Sequence, residues 1–154
     1  MKPTKFLVVA IMLLAISTNA SAQANYKTAV GVKFYPGALS IKHFVSDKNA
    51  VEGLAYFFDR GLRVTGLYEI HSSIDDVPGL NWYVGPGVHV SSYNAKNSGG
   101  VGLGVDGVLG LDYKIQSAPI NLSLDWQPSF EFGDRVANRG FVGNWGGLAI
   151  RYTL

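Results

Sequence analysis

The chain has 154 residues, with 13 Lys and Arg against 11 Asp and Glu, 19 Gly and no Cys. That length fits one domain, and without cysteine neither a disulfide framework nor a thiolate metal site can form. The formal charge of +2 resides in Lys2 and Lys5; from Gln23 onward basic and acidic residues balance, which excludes a basic surface for nucleic acid.

The N-terminus reads as an export signal. Met1–Lys5 is a short basic segment, Phe6–Ile16 is an unbroken apolar run, and Ala20-Ser21-Ala22 offers small residues for cleavage before Gln23. Eleven apolar residues make a helix about 16 Å long, about half a bilayer's hydrocarbon thickness, so the run is too short to span as an anchor. The expected organisation is a signal peptide over 1–22 and a single exported domain over 23–154.

From Thr28 the dominant signal is strict alternation, the period of a β-strand. Val30, Val32 and Phe34 oppose Ala29, Gly31 and Lys33. After a Tyr35-Pro36-Gly37 turn, Leu39 and Ile41 alternate with Ser40 and Lys42 over 38–44. Residues 51–58 are apolar on both faces, so their facing stays open. Leu62, Val64, Tyr68 and Ile70 oppose Arg63, Thr65, Glu69 and His71. Leu80, Trp82, Val84, Pro86, Val88 and Val90 oppose Asn81, Tyr83, Gly85, Gly87, His89 and Ser91. Val101, Leu103, Val105, Leu109, Leu111 and Tyr113 oppose Gly102, Gly104, Asp106, Gly110 and Asp112. Residues 120–132 alternate without a fault, and Leu148, Ile150, Tyr152 and Leu154 close the chain against Ala149, Arg151 and Thr153.

That makes eight strands. Several exceed the five or six residues usual in soluble sheets and match the 9–11 that a tilted strand needs to cross a bilayer. Turn chemistry falls between them, at 46–49, 59–61, 72–79, 92–100, 114–119 and 133–140.

Alternation fits two opposite objects. A lipocalin-like soluble barrel points its bulky face inward, whereas a transmembrane barrel points it at lipid. Glycine is concentrated on the polar face, at 31, 85, 87, 102, 104 and 110, where a narrow interior would need it. Aromatics lie near strand ends on the apolar face, at Phe34, Tyr68, Trp82, Tyr113, Phe130, Phe132 and Tyr152, as interfacial girdles require. The expected fold is therefore an all-β, eight-stranded antiparallel transmembrane up-and-down β-barrel. Pro86 and Pro128 each remove a ladder donor, so a bulge is expected at each.

The segments 79–89, 104–113, 118–128 and 145–154 give the chain a resemblance to the small eight-stranded outer-membrane β-barrel proteins of Gram-negative bacteria, especially a compact kind in Bacteroidota. The resemblance covers the whole of 23–154. It implies residence in the outer membrane among its lipids and lipopolysaccharide, as a monomer. It also implies insertion by the barrel-assembly machinery, read from the C-terminal strand 146–154. That strand ends in Leu154 where such signals usually end in Phe, with Tyr152 keeping the aromatic element.

With the bulky face outward, the lumen receives Lys33, Arg63, Glu69, Asp106, Asp125, Glu131 and Arg151. Eight strands enclose little more than side chains, so these charges are expected to pair into a plug that does not conduct. One motif hints at catalysis: His89-Val-Ser91, with Asp106 on the next strand, is faintly similar to the His-x-Ser of outer-membrane lipid A deacylases. Parity, however, turns both residues away from the lipid-facing side. No His, Asp and Glu grouping has metal-ligand spacing, and nothing suggests a cofactor. The expected function is a non-enzymatic, envelope-structural or surface-interaction role through the loops 92–100 and 133–140. The alternatives are a lipid-modifying hydrolase and a secreted soluble carrier.

Overall fold

The computed structural model describes residues 26–59, 61–94, 99–133 and 140–154. The expected signal peptide over 1–22, its expected cleavage site, and residues 95–98 and 134–139 of the two longer loops lie outside the described residues. Strands run over Thr28–Phe34 (β1), Ala38–Phe44 (β2), Asn49–Phe58 (β3), Gly61–Ser73 (β4), Leu80–Tyr93 (β5), Gly100–Lys114 (β6), Ile120–Trp126 (β7), Ser129–Phe132 (β8), Gly140–Val142 (β9) and Gly146–Thr153 (β10). From β1 to β7 each strand pairs antiparallel with the next, β8 pairs with β6 and β9, and β10 pairs with β7 and with β1, so the sheet closes on itself. Segments β7 and β8 together form one barrel strand against β6, and β9 and β10 form the next. The result is an eight-stranded antiparallel up-and-down barrel.

The strands are steeply staggered. Partners followed from Val30 through Ile41, Gly53, Gly66, Val88, Val105 and Phe130 arrive at Phe141, past the top of β1. Such a shear requires tilted strands. One end of the barrel carries Tyr26 and Leu154 (the termini end); the opposite, distal end carries the β1–β2 and β3–β4 turns.

Facing follows the alternation with the polar side in. Ala50, Glu52, Leu54 and Tyr56 are buried, which turns Val51 and Phe57 outward and fixes the strand whose facing the sequence left open. Leucines, valines, phenylalanines and tryptophans from every strand group stand exposed on the outer wall, among them Ile41 at 54%, Leu103 at 58% and Leu124 at 59%. Glycines on the inner wall make room for rings: a Cβ on Gly104 would sit 2.2 Å from His89 Cε1, and one on Gly110 would sit 2.7 Å from Tyr83 Cζ.

The two expected bulges are corrected. Pro86 leaves Tyr68 and Glu69 without ladder partners on β5, but the β4–β5 register is the same on both sides of it, so no residue is inserted. Around Pro128 the register with β6 is likewise continuous, and Gly107 N donates to Pro128 O at 2.8 Å. The extra residue lies in the strand opposite, where 143–145 span the gap facing Gln127 and Pro128. A proline offers that neighbour no donor, so the irregularity is absorbed there. The same interruption divides the run 120–132, expected as one strand, into β7 and β8.

Candidate functional site in the barrel lumen

All seven charged residues assigned to the lumen from parity are buried: Lys33, Arg63, Glu69, Asp106, Asp125, Glu131 and Arg151. They do not form one network by themselves. Lys42, Glu52, Asp112, His71 and His89 complete it, and these sit on the same inward parity.

Toward the termini end, Arg151 on β10 is the hub. Its Nε donates to Ser40 Oγ at 2.7 Å, Nη1 donates to Ser123 Oγ at 2.7 Å and Asn121 Oδ1 at 3.1 Å, and Nη2 pairs with Glu52 Oε1. Four strands are thereby tied to one planar guanidinium, whose fixed fork of donors suits several acceptors at once. Beside it, Lys42 Nζ lies 2.9 Å from Glu69 Oε2, 3.2 Å from Asp112 Oδ2 and 4.0 Å from Glu52 Oε2, with the Tyr83 ring 4.4 Å away. Asn121 Nδ2 donates to Asp112 Oδ1 at 2.8 Å. His71 stacks on Tyr83, meets Phe44 on its other side, and contacts Glu69 Oε2 at 2.9 Å.

A middle layer holds Lys33, 2.6 Å from Asp125 Oδ1, with Tyr83 Oη donating to Asp125 Oδ2 at 2.7 Å. Tyr56 Oη and Lys33 Nζ both donate to Gln127 Oε1, at 2.8 and 3.3 Å. Leu54, Leu67 and Val108 fill the space between the polar layers. Charges enclosed by such groups are poorly solvated, so each depends on its partners.

The distal cluster centres on Asp106, which pairs with Arg63, accepts from Gln127 Nε2 at 3.2 Å and meets His89 Nδ1 at 2.6 Å. His89 Nε2 faces Glu131 Oε1 at 3.3 Å. Arg63 lies 4.1 Å over the Trp145 ring, which also packs on Tyr56 and Phe58, so Trp145 and Phe58 roof the distal lumen. The irregular segment 143–145 is what carries Trp145 there.

At the termini end a vestibule of about 830 Å³ opens between Tyr26, Phe44, His71, Leu80, Asp112 and Lys114. Burial, with the Asp112 carboxylate beside it, raises the Tyr26 hydroxyl above the usual phenol range. Lys114 Nζ is spent on the carbonyls of Ile115 and Ala118, at 2.7 and 2.6 Å.

The His89 and Ser91 pair lies inside the barrel, as parity required, and His89 does meet Asp106. Yet the second ring nitrogen points to Glu131, and Ser91 Oγ is fully buried with no hydrogen-bond partner among the described residues. A serine nucleophile needs its hydroxyl on the base and open to substrate; neither condition is met here. Among the described residues no group of three or more His, Asp or Glu is placed to hold a metal ion.

Glu52 carried a signal in the sequence. It is the one charge within 51–58, and in every other strand the charges share the inner parity. Lys42 and Asp112 were equally legible by parity. Comparison of the chain with protein-family models, with curated proteins and with solved structures finds no match.

Proposed function

We propose that the chain is an integral outer-membrane β-barrel protein of a Gram-negative envelope, non-enzymatic, with a side-chain-filled lumen and an envelope-structural or surface-interaction role. The observation that carries this reading is the inversion of the barrel. Charges and amides lie inside, whereas the outer wall presents Leu, Val, Ile, Phe and Trp side chains on every strand group. Contiguous apolar surface on that scale calls for a nonaqueous partner, and acyl chains of outer-membrane lipid and lipopolysaccharide satisfy all sides of a barrel at once. A soluble carrier needs the opposite arrangement, with a polar exterior around an apolar cavity. The C-terminal strand 146–154 would engage the barrel-assembly machinery, and the closed outer wall suits a monomer.

The test is fractionation of expressing cells, with heat-modifiable gel mobility of the purified protein. Recovery in the outer-membrane fraction with a heat-dependent mobility shift is expected; recovery from the soluble periplasm would refute the reading. Buried ion pairs occupy the lumen at several levels and an ion would have to break them to pass, so planar-bilayer recordings are expected to stay at baseline. Reproducible single-channel steps would contradict a plugged lumen.

A second reading rests on the 2.6 Å contact of His89 with Asp106, the base-and-orienter half of a hydrolase triad. Mass spectrometry of lipid A from cells with and without the protein decides between the two. Identical acylation is expected, for the wild type and for Ser91→Ala alike. An acyl chain lost only when Ser91 is present would establish the hydrolase.

A further inference from the structure

Three carboxyl groups and two cations make direct contact in the cluster nearer the termini: Glu52, Glu69 and Asp112 against Lys42 and Arg151. Asp112 is fully served as an anion, by Lys42, by Asn121 and by Tyr26 Oη at 3.5 Å. The two glutamates are each served on one side only. Glu52 Oε1 accepts from Ser40 Oγ at 2.6 Å and from Arg151, while Glu69 Oε2 takes Lys42 and His71. Their other oxygens, Glu52 Oε2 and Glu69 Oε1, are buried and accept no hydrogen bond among the described residues, Lys42 Nζ standing 4.0 Å from the first.

Those two orphans belong to neighbouring carboxyls. In the β3–β4 register Glu52 opposes Leu67 and Glu69 opposes Ala50, so the glutamates stand diagonally across adjacent strands on the inner face, a spacing that long side chains bridge. Both carboxyl groups are fully buried against the same ammonium, Lys42 Nζ, which lies 2.9 Å from Glu69 Oε2 and 4.0 Å from Glu52 Oε2. The charged and titratable groups around them are Lys42 on β2, His71 on β4, Tyr83 on β5, Asp112 on β6, Arg151 on β10 and, further off, Lys33 on β1, which is occupied by Asp125. None of them donates a hydrogen bond to Glu52 Oε2 or Glu69 Oε1; Lys42, 4.0 Å from Glu52 Oε2, is instead 2.9 Å from Glu69 Oε2 and 3.2 Å from Asp112 Oδ2. Two ionised carboxylates buried side by side would repel each other, and one of a close pair is then held protonated.

We propose that Glu52 and Glu69 hold a single proton between them at neutral pH, making this pair a proton-binding site inside the barrel wall. One shared proton supplies the missing donor to both orphan oxygens and brings the cluster to two anions against two cations. The pair titrates as a unit, and the proton belongs to neither residue alone.

Infrared spectroscopy of the purified barrel at pH 7 tests this. The wild type is expected to show one carboxylic-acid carbonyl band, distinct from the carboxylate bands and shifted in D₂O. Glu69→Gln and Glu52→Gln are each expected to abolish it, because the amide replaces the proton as donor and the remaining glutamate ionises. Absence of the band from the wild type, as a bound cation or water in the gap would produce, overturns the proposal. So does its survival in either variant. Glu52, Glu69 and Glu131 are the three glutamates in the sequence, so ¹³C-glutamate labelling of the wild type gives a second measurement should a variant fail to fold. The band must shift on labelling; a band that does not shift belongs to an aspartate and also overturns the proposal.

Discussion

Replacing Arg151 by methionine is expected to cost about 3–5 kcal/mol of folding stability, the range for removing one partner of a buried ion pair. Methionine keeps much of the stem but removes the donors to Glu52, Ser40, Asn121 and Ser123. It leaves Lys42 as the one cation in contact with three buried carboxyls. Three strands, β2, β3 and β7, lose their shared partner on β10 together, so the barrel should lose cooperativity as well as stability. Arg151→Lys restores the charge but presents it as a point, without the planar fork, and should recover part of the loss. Urea unfolding of the reconstituted protein measures both, with exposed Lys48→Met as a control expected to stay within about 0.5 kcal/mol of wild type. An Arg151→Met barrel as stable as the wild type would show that the lumen network is filling and contributes little to holding the strands.

The second large effect concerns the outer wall. Leu109 lies midway along β6, 51% exposed, between Val84 of β5 and Trp126 of β7. If that wall faces acyl chains, Leu109→Arg is expected to destabilise the barrel by about 2–4 kcal/mol, the cost of a basic residue near the bilayer midplane. The same change on a water-facing wall would be close to neutral or would improve solubility, since half of the side chain already faces outward. Refolding yield and urea midpoint in lipid vesicles read the difference. A neutral Leu109→Arg in lipid would count against a lipid-facing wall.

Strand number and the facing of most strands were legible because parity is a local property. In Ile120–Phe132 the apolar set Ile120, Leu122, Leu124, Trp126 can only be on one side of the wall, and the buried Asn121, Ser123 and Asp125 are on the other. Inward burial of Lys33, Arg63, Glu69, Asp106, Asp125, Glu131 and Arg151 followed from the same rule. Which of them pair did not, because pairing depends on register summed around the barrel. Arg151 and Glu52 are 99 residues apart, and Lys33 meets Gln127 across 94. Residues 51–58 hid their facing because Leu54 and Tyr56 belong to an apolar cluster inside the barrel, so apolar side chains occupy both sides of β3. The irregularity opposite Pro128 was misplaced for a related reason. A proline announces a missing donor, but which strand takes up the extra residue is settled by the neighbour. Nothing in Gly143-Asn144-Trp145 alone shows that Trp145 turns in over Arg63 while Trp82 and Trp126 stay on the outer wall.

That distribution of tryptophans allows the most direct test of where the apolar wall resides. Trp82 and Trp126 are 41% and 50% exposed outside the barrel, whereas Trp145 packs inside on Tyr56, Phe58 and Arg63. Three single-tryptophan variants, each with the other two replaced by phenylalanine, would be reconstituted in vesicles carrying brominated acyl chains. Strong quenching of Trp82 and Trp126, with Trp145 largely spared, is the result expected of a barrel whose outer wall meets lipid around a closed lumen. Quenching of Trp145 alone, or of none while the folded protein stays in the aqueous phase, would contradict it.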